Sequence, residues 1–140
     1  MKLLFASDGS KCSDRAARYL VKSLSKAVRD LRVTLCHVDA PMLERVASAL
    51  GERRVAEIHR ENAEACLKET RRRLKRSGLR FGEDHLIGNA ASCIAERAVE
   101  GKFDLVLMGS HGRTALKSVL LGSVTARVLS ECEVPVLVVH

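Results

Sequence analysis

The sequence has no tryptophan and one tyrosine, and aromatics make up only 3% of its 140 residues. That leaves little with which to stack bases, so nucleic acid is an unlikely partner. The five cysteines (Cys12, Cys36, Cys66, Cys93 and Cys132) are odd in number and contain no C-x-x-C pair. A disulfide framework and a zinc site are therefore disfavoured, and the thiols are expected to be reduced. No apolar run approaches the roughly 20 residues that span a bilayer. The N-terminus, Met1 to Asp8, turns polar too soon for a signal peptide. The expected location is the cytoplasm, with no membrane partner.

What the chain does have is aliphatic. Apolar residues reach 46%, so a core of Ala, Val, Leu and Ile is expected, which suits a sheet covered by helices. The length fits one domain over residues 1–140, able to bury roughly 68–70% of its unfolded surface. The net charge is +7, and much of it lies in Arg71-Arg72-Arg73-Leu74-Lys75-Arg76. Such a run is either a polyanion patch or a solvated helix end, where cations complement the helix dipole. The shortage of aromatics favours the helix end.

Continuous apolar runs mark five strands: Leu3 to Ala6, Val33 to Val38, a weaker polar one from Leu79 to Ile87, Phe103 to Met108, and Val134 to Val139. Runs without polar alternation are typical of strands covered on both faces. Between them lie helical patterns. Ser13 is expected to cap a helix with Ala16, Ala17, Leu20, Val21, Leu24, Ala27 and Val28 on its apolar face. Leu43 to about Lys75 reads as helix with a possible break at Gly51, ending at Ser77-Gly78. Ser92 is expected to cap a helix carrying Ile94, Ala95, Ala98 and Val99, closed by Gly101. A last helix is expected from Ser123 to Glu131, with Val124, Val128 and Leu129 inward. The alternation β-α-β-α-β-α-β-α-β implies a doubly wound α/β sheet of parallel strands with right-handed crossovers. Ligands bind such sheets beyond the carboxyl ends of the strands. Ser7-Asp8-Gly9-Ser10, His37-Val38-Asp39 and the segment after the fourth strand should meet there.

That last segment runs from Gly109 through Ser110, His111, Gly112, Arg113, Thr114 and Ala115 to Gly122, Ser123, Val124 and Thr125. Its glycines permit positive φ and close ligand approach, and the start of the last helix offers unpaired N–H groups to an anion. Ser123 and Thr125 can donate hydroxyl hydrogen bonds to phosphate. Neither G-x-x-x-x-G-K-[ST] nor G-x-G-x-x-G after the first strand is present, so a Walker loop and a dinucleotide site are disfavoured. A connection that binds nothing is the alternative.

Gly109, Gly112 and Gly122-Ser123 follow the spacing G-x₂-G-x₉-G-[S/T]. With Asp8-Gly9-Ser10, Leu35 to Asp39, Leu107 to Arg113 and Val134 to Val139, this makes the chain resemble the ATP-binding branch of the universal stress protein family along its whole length. The resemblance implies a five-stranded sheet of order 3-2-1-4-5. It implies that the Val38 backbone holds adenine, that Ala6 lines the site, and that Asp8 lies beside ribose, phosphates and a divalent metal, Mg²⁺ or Mn²⁺. It also implies that residues 109–115 and 122–125 hold ribose and phosphates, and that the protein dimerises through its last strand, Val134 to Val139. The implied function is nucleotide-dependent regulation through an unknown signalling partner.

A slow ATP-hydrolysing enzyme is the alternative. Asp8 and Arg113 could serve it, but no residue stands out to position water. Asp8 could instead simply cap the first helix. His111 reads as a phosphate or solvent contact rather than a base, His37 as a buried structural residue, and Lys117 as solvated or phosphate-facing.

Overall fold

The computed structural model describes residues 1–113 and 121–140. Five strands, β1 (Lys2–Ala6), β2 (Arg32–Asp39), β3 (Phe81–Ile87), β4 (Leu105–Gly109) and β5 (Val136–Val139), form one sheet of order β3-β2-β1-β4-β5. All four pairings are parallel. Each strand starts or stops within about two residues of its apolar run, the usual scatter at element ends.

Alternation along the strands splits the core into two layers. Leu3, Phe5, Leu35 and Leu107 face one way and pack with Ala16 and Ala17 of α1 (Lys11–Tyr19), with Leu20 just after it, and with Leu67 and Leu74 of α4 (Glu52–Arg76). Leu4, Ala6, Cys36, Val106 and Met108 face the other way, against Ala91, Ile94 and Ala98 of α5 (Ala90–Glu100) and Val128 of α6 (Ser123–Glu131). A sheet buried on both sides needs apolar residues at every strand position, hence the unbroken runs.

Four expectations about helices are corrected. Ser10, not Ser13, caps α1, accepting from Ser13 N; Ser13 is buried inside the first turn. Asn89, not Ser92, caps α5, accepting from Ser92 N. In both cases the accepting side chain precedes the first turn, where the free N–H groups are. After α1 the chain passes through a π-helical turn, Leu20–Leu24, into α2 (Ser25–Ala27). The wider turn shifts the helical phase and leaves Ala27 exposed instead of inward. On α6 the buried residues are Thr125 and Val128, whereas Val124 and Leu129 are exposed.

Gly51, at φ +80, separates α3 (Glu44–Leu50) from α4. The basic run ends α4 as a helix terminus. Arg71 grips Glu83 bidentately at 2.6 and 2.8 Å and reaches Glu64 at 2.7 Å. Arg73 bonds Asp14 at 2.6 Å, and Arg72 pairs with Glu69. The polar third strand is tolerated because arginines answer its acids: Arg71 holds Glu83, and Arg97 bonds Asp84 at 2.6 Å.

These pairs carry a pH dependence. Hydrogen bonds from Arg71 hold the Glu83 carboxyl below its ordinary 4.5. Burial pushes Asp14 up, but Arg73 and Arg18 outweigh it and hold that carboxyl below 3.8. A carboxyl with a lowered folded pKa stabilises the fold above its unfolded value, and that stabilisation is lost as pH falls through the folded one. The protein should therefore lose stability progressively once the pH drops below 4.5. Arg71→Met should be less stable than the wild type at pH 7, with the gap narrowing at pH 3. Urea unfolding at the two pH values checks this; an unchanged gap would contradict it.

Candidate functional site

The order reverses between β1 and β4, and a half-open crevice lies at the carboxyl ends of β1, β2 and β4. Three chain segments build it.

The first follows β1. Ala6 is buried at the strand end. Ser7 N extends the ladder by donating to Cys36 O at 2.9 Å, and the chain then turns at Gly9. Gly9 has φ +76, and a Cβ there would stand 2.7 Å from the Cys66 carbonyl oxygen, so only glycine fits. The turn is held by Asp8. Its Oδ1 accepts from Ser13 Oγ at 2.7 Å and Ser10 N at 3.0 Å. Its Oδ2 accepts from Arg113 N at 3.1 Å. Asp8 thus links the first loop to the loop after β4.

The second segment is the end of β2. Cys36 O faces β1, accepting from Ser7 N, and Asp39 O faces β3, accepting from Gly88 N at 2.9 Å. Backbone groups alternate edges along a strand. The N–H and C=O of Val38 therefore face the β1 side. The β1 register stops at the Ala6–Cys36 pair, so no β1 residue stands opposite Val38. A donor and an acceptor are thus presented to the crevice beside Ile94 and Met108. His37 is buried, and its Nδ1 lies 3.0 Å from Ser7 O. A carbonyl only accepts, so Nδ1 carries the proton.

The third segment follows β4. A Cβ on Gly109 would lie 2.6 Å from the backbone carbon of Cys12, so glycine lets α1 abut the strand. Ser110 N donates to Val139 O at 2.9 Å. Its buried Oγ lies 3.0 Å from His111 Nδ1 and 3.8 Å from Cys12 Sγ. Burial pushes the Cys12 thiol up, but hydrogen bonds from Arg15, Ser110 and the His111 backbone outweigh it and lower its pKa. Gly122 N donates to Ser110 O at 2.9 Å, joining the two ends of the loop. Gly122 supplies no side-chain cap to the first turn of α6, whose leading N–H groups have no intrahelical partner.

The structure thus brings Ala6, Asp8, Val38, Gly109, His111, Gly112, Val124 and Thr125 to one crevice. Ser110 lies buried just beneath it, and Arg113 is exposed at its edge, its guanidinium 3.4 Å from Cys66 Sγ. Gly122 and Ser123 start α6. Thr114, Ala115 and Lys117 lie outside the described residues. Two expectations change. Thr125 Oγ1 donates to Gly109 O at 3.1 Å, so its proton is committed to the loop and only its backbone N–H is left for an anion. Positive φ is absent at Gly109, Gly112 and Gly122, so close packing, not turn conformation, calls for glycine there. Sequence reasoning missed the crevice roles of Ser13, Ala90, Ile94 and Met108. Spacing marks Ile94 only as an apolar helix position, because helical periodicity does not separate a core-facing end from a cleft-facing one.

This is the doubly wound α/β class, with its crevice at the switch point. The universal stress protein family model matches residues 1–140, and the chain belongs to that family. It is 30% identical over 138 residues to universal stress protein MJ0531 of Methanocaldococcus jannaschii, covering 99% of this chain and 81% of that one. It spans only 41% of the Synechocystis relative Slr1230, at 27% identity. Among solved structures, MJ0577 superposes with a TM-score of 0.79 at 29% identity, covering 99% and 94% of the two chains. Two others with this fold hold adenine nucleotides: a universal stress protein in complex with cAMP (TM-score 0.72, 23% identity, 100% and 97% covered) and one from Archaeoglobus fulgidus in complex with dAMP (0.69, 19%, 100% and 98%).

Proposed function

We propose that the crevice binds an adenine nucleotide, ATP foremost, and that the protein is a nucleotide-dependent regulator rather than a fast enzyme. The observation that carries this is the Val38 backbone pair, a donor beside an acceptor with no strand opposite. Adenine's N1 accepts and its N6 donates, which matches that pair. Ala6, Ile94 and Met108 supply apolar walls for the ring. Asp8 then lies beside the ribose. The phosphates take the loop from Gly109 to Arg113, continued by Thr114 and Ala115, and the α6 start, with N–H groups from Ser123, Val124 and Thr125 beyond Gly122. The adenine-nucleotide complexes of two proteins with this fold support the reading.

A divalent ion fits only together with phosphates. No group of three ligating side chains is placed to hold an ion among the described residues. Mg²⁺ or Mn²⁺ needs no more than one or two carboxylates when phosphates supply other oxygens, and Asp8 is that carboxylate. Three hydrogen bonds already engage Asp8, which supports binding over water activation. Single-turnover hydrolysis near 1 per second, typical of a dedicated enzyme, would favour the slow-ATPase alternative's stronger form and overturn the regulatory reading.

Guanine presents a donor at N1 and an acceptor at C6, the reverse of what Val38 offers. Each mismatched group costs about 1–3 kcal/mol, so calorimetry should find GTP at least about tenfold weaker than ATP. Equal affinities would refute adenine recognition at Val38. We also propose a homodimer through β5, a route by which nucleotide state reaches a signalling partner, and a cytoplasmic site of action. Among the described residues, no helix is long and apolar enough to cross a membrane.

A further inference from the structure

The geometry points to a second binding site, for a small primary ammonium ion with a short alkyl chain, in the cleft between the carboxyl ends of β2 and β3 and the first half of α4. Its lining includes His37, Asp39, His59 and His85, with Ala63 and Ile87 among the apolar walls. His37 lines both this cleft and the nucleotide crevice, and the other lining residues belong to the cleft alone.

Strand alternation creates it. Cys36 and Val38 pack on the α5 side, so His37 and Asp39 point to the α4 side, where Asp39 meets His59 and Asn62. His85 stands opposite His37 in the β2–β3 register. Ala56, His59, Arg60 and Ala63 recur at helical spacing along α4 and close the cleft from above.

The chemistry follows from where the imidazole protons go. His37 Nδ1–H is donated to Ser7 O at 3.0 Å. His59 Nδ1–H is donated to Asp39 Oδ2 at 2.7 Å, and His85 Nε2–H to Glu83 Oε2 at 3.3 Å. His37 donates its Nδ1–H to a carbonyl, so in the neutral ring its Nε2 is a lone pair. Asp39 Oδ2 takes a further bond from Asn62 at 2.8 Å, leaving Oδ1 as an acceptor. The cleft therefore presents Asp39 Oδ1 and His37 Nε2 as acceptors. Among the described residues, His37 Nε2 is the one fully buried side-chain polar atom without a partner, in a residue only 6% exposed. A buried acceptor of this kind calls for a donor.

The donor matches a cation because Asp39 supplies the charge. Burial pushes its carboxyl up, but Asn62 and His59 outweigh this and keep it ionised well into the acid range. No three of these groups are placed to share a metal ion among the described residues. An ammonium group needs no such convergence, since its three N–H groups reach separate acceptors at hydrogen-bond distances. The cleft measures about 220 Å³, below the 300–1,000 Å³ of drug-sized pockets, so the alkyl chain is short. It lies against Ala56, Ala63 and Ile87, and exposed Arg60 bounds the rim.

The test is an amide-shift titration of the full chain with n-butylamine at neutral pH. The expected result is a saturable millimolar response confined to residues 37–39, 56–63 and 85–87. Asp39→Asn should weaken it at least about tenfold, the size of one lost charge-assisted bond. Ala56→Leu, a change at an exposed helix position that fills the mouth, should block it with thermal unfolding unchanged. ATP titration of the same variants is a separate readout, so failure of this site and failure of the nucleotide reading are told apart. No localised response would overturn the site. An equal response to tetramethylammonium, which lacks N–H, or to zinc chloride alone would overturn the ligand class.

Discussion

Gly122→Val should lower ATP affinity by at least about tenfold, some 1.4 kcal/mol, in a protein that still folds. Gly122 sits at φ −67, ψ 154, a conformation valine adopts readily, so the backbone itself is not strained. The damage comes from crowding. A Cβ there would already stand 3.2 Å from His111 Cα, 3.4 Å from Gly112 N and 3.5 Å from Ser110 O. Valine adds two methyl groups beyond that Cβ, and overpacking of this kind typically costs 1–3 kcal/mol. The segment that must yield is Ser110 to Gly112, the floor of the proposed phosphate site. The Gly122 N to Ser110 O bond, which joins the two ends of the loop, is strained with it. The core layers lie elsewhere, under β1 and β4, so the far-ultraviolet circular dichroism should be unchanged. Calorimetric titration beside that spectrum checks both halves. A folded variant with wild-type affinity would remove this loop from the nucleotide site.

The second large effect concerns assembly: the wild-type chain should sediment at twice its 15.4 kDa mass, and Val138→Pro should run as a monomer. β5 is an edge strand. Pro135 O accepts from Val106 N of β4, and Val139 O from Ser110 N just after it. By alternation, Val136 and Val138 turn their N–H and C=O groups away from β4. An exposed row of this kind is a template for another strand, and a twofold mate would supply the same row to it. Proline at 138 removes one outward donor and no bond to β4, a position where edge strands tolerate it. The monomer should therefore stay folded, which circular dichroism would show. A wild-type species of 15.4 kDa at micromolar concentration would rule out a stable dimer. A dimer that survives Val138→Pro would place the interface on another surface.

Much of this was legible because the signals are local. The unbroken runs at Leu3 to Ala6 and Val33 to Val38 announce strands buried on both faces, and Gly51 and Ser77-Gly78 punctuate the helices where the structure breaks them. The α/β alternation located the crevice at the carboxyl ends of the strands, and the resemblance supplied the strand order. Local signals also misled where two residues could play one part. Ser10 and Ser13 are both plausible caps, and only the backbone turn at Gly9 selects the first. Ala27 follows the helical period and is still exposed, because the π-helical turn before it is a product of packing, invisible in spacing.

The sequence by itself determined the strand and helix pattern, the glycine spacing after the fourth strand and the family, since all of these are carried by residue type and distance along the chain. Only the tertiary structure decided which atoms are free. It gave the Thr125 hydroxyl to Gly109 O, closed Asp8 onto Ser10, Ser13 and Arg113, left Val38 with no β1 residue opposite and, among the described residues, left His37 Nε2 without a partner. The physical reason is that hydrogen-bond capacity belongs to a residue, but its satisfaction depends on groups up to 105 positions away in the chain, brought within 3 Å or so only by the fold.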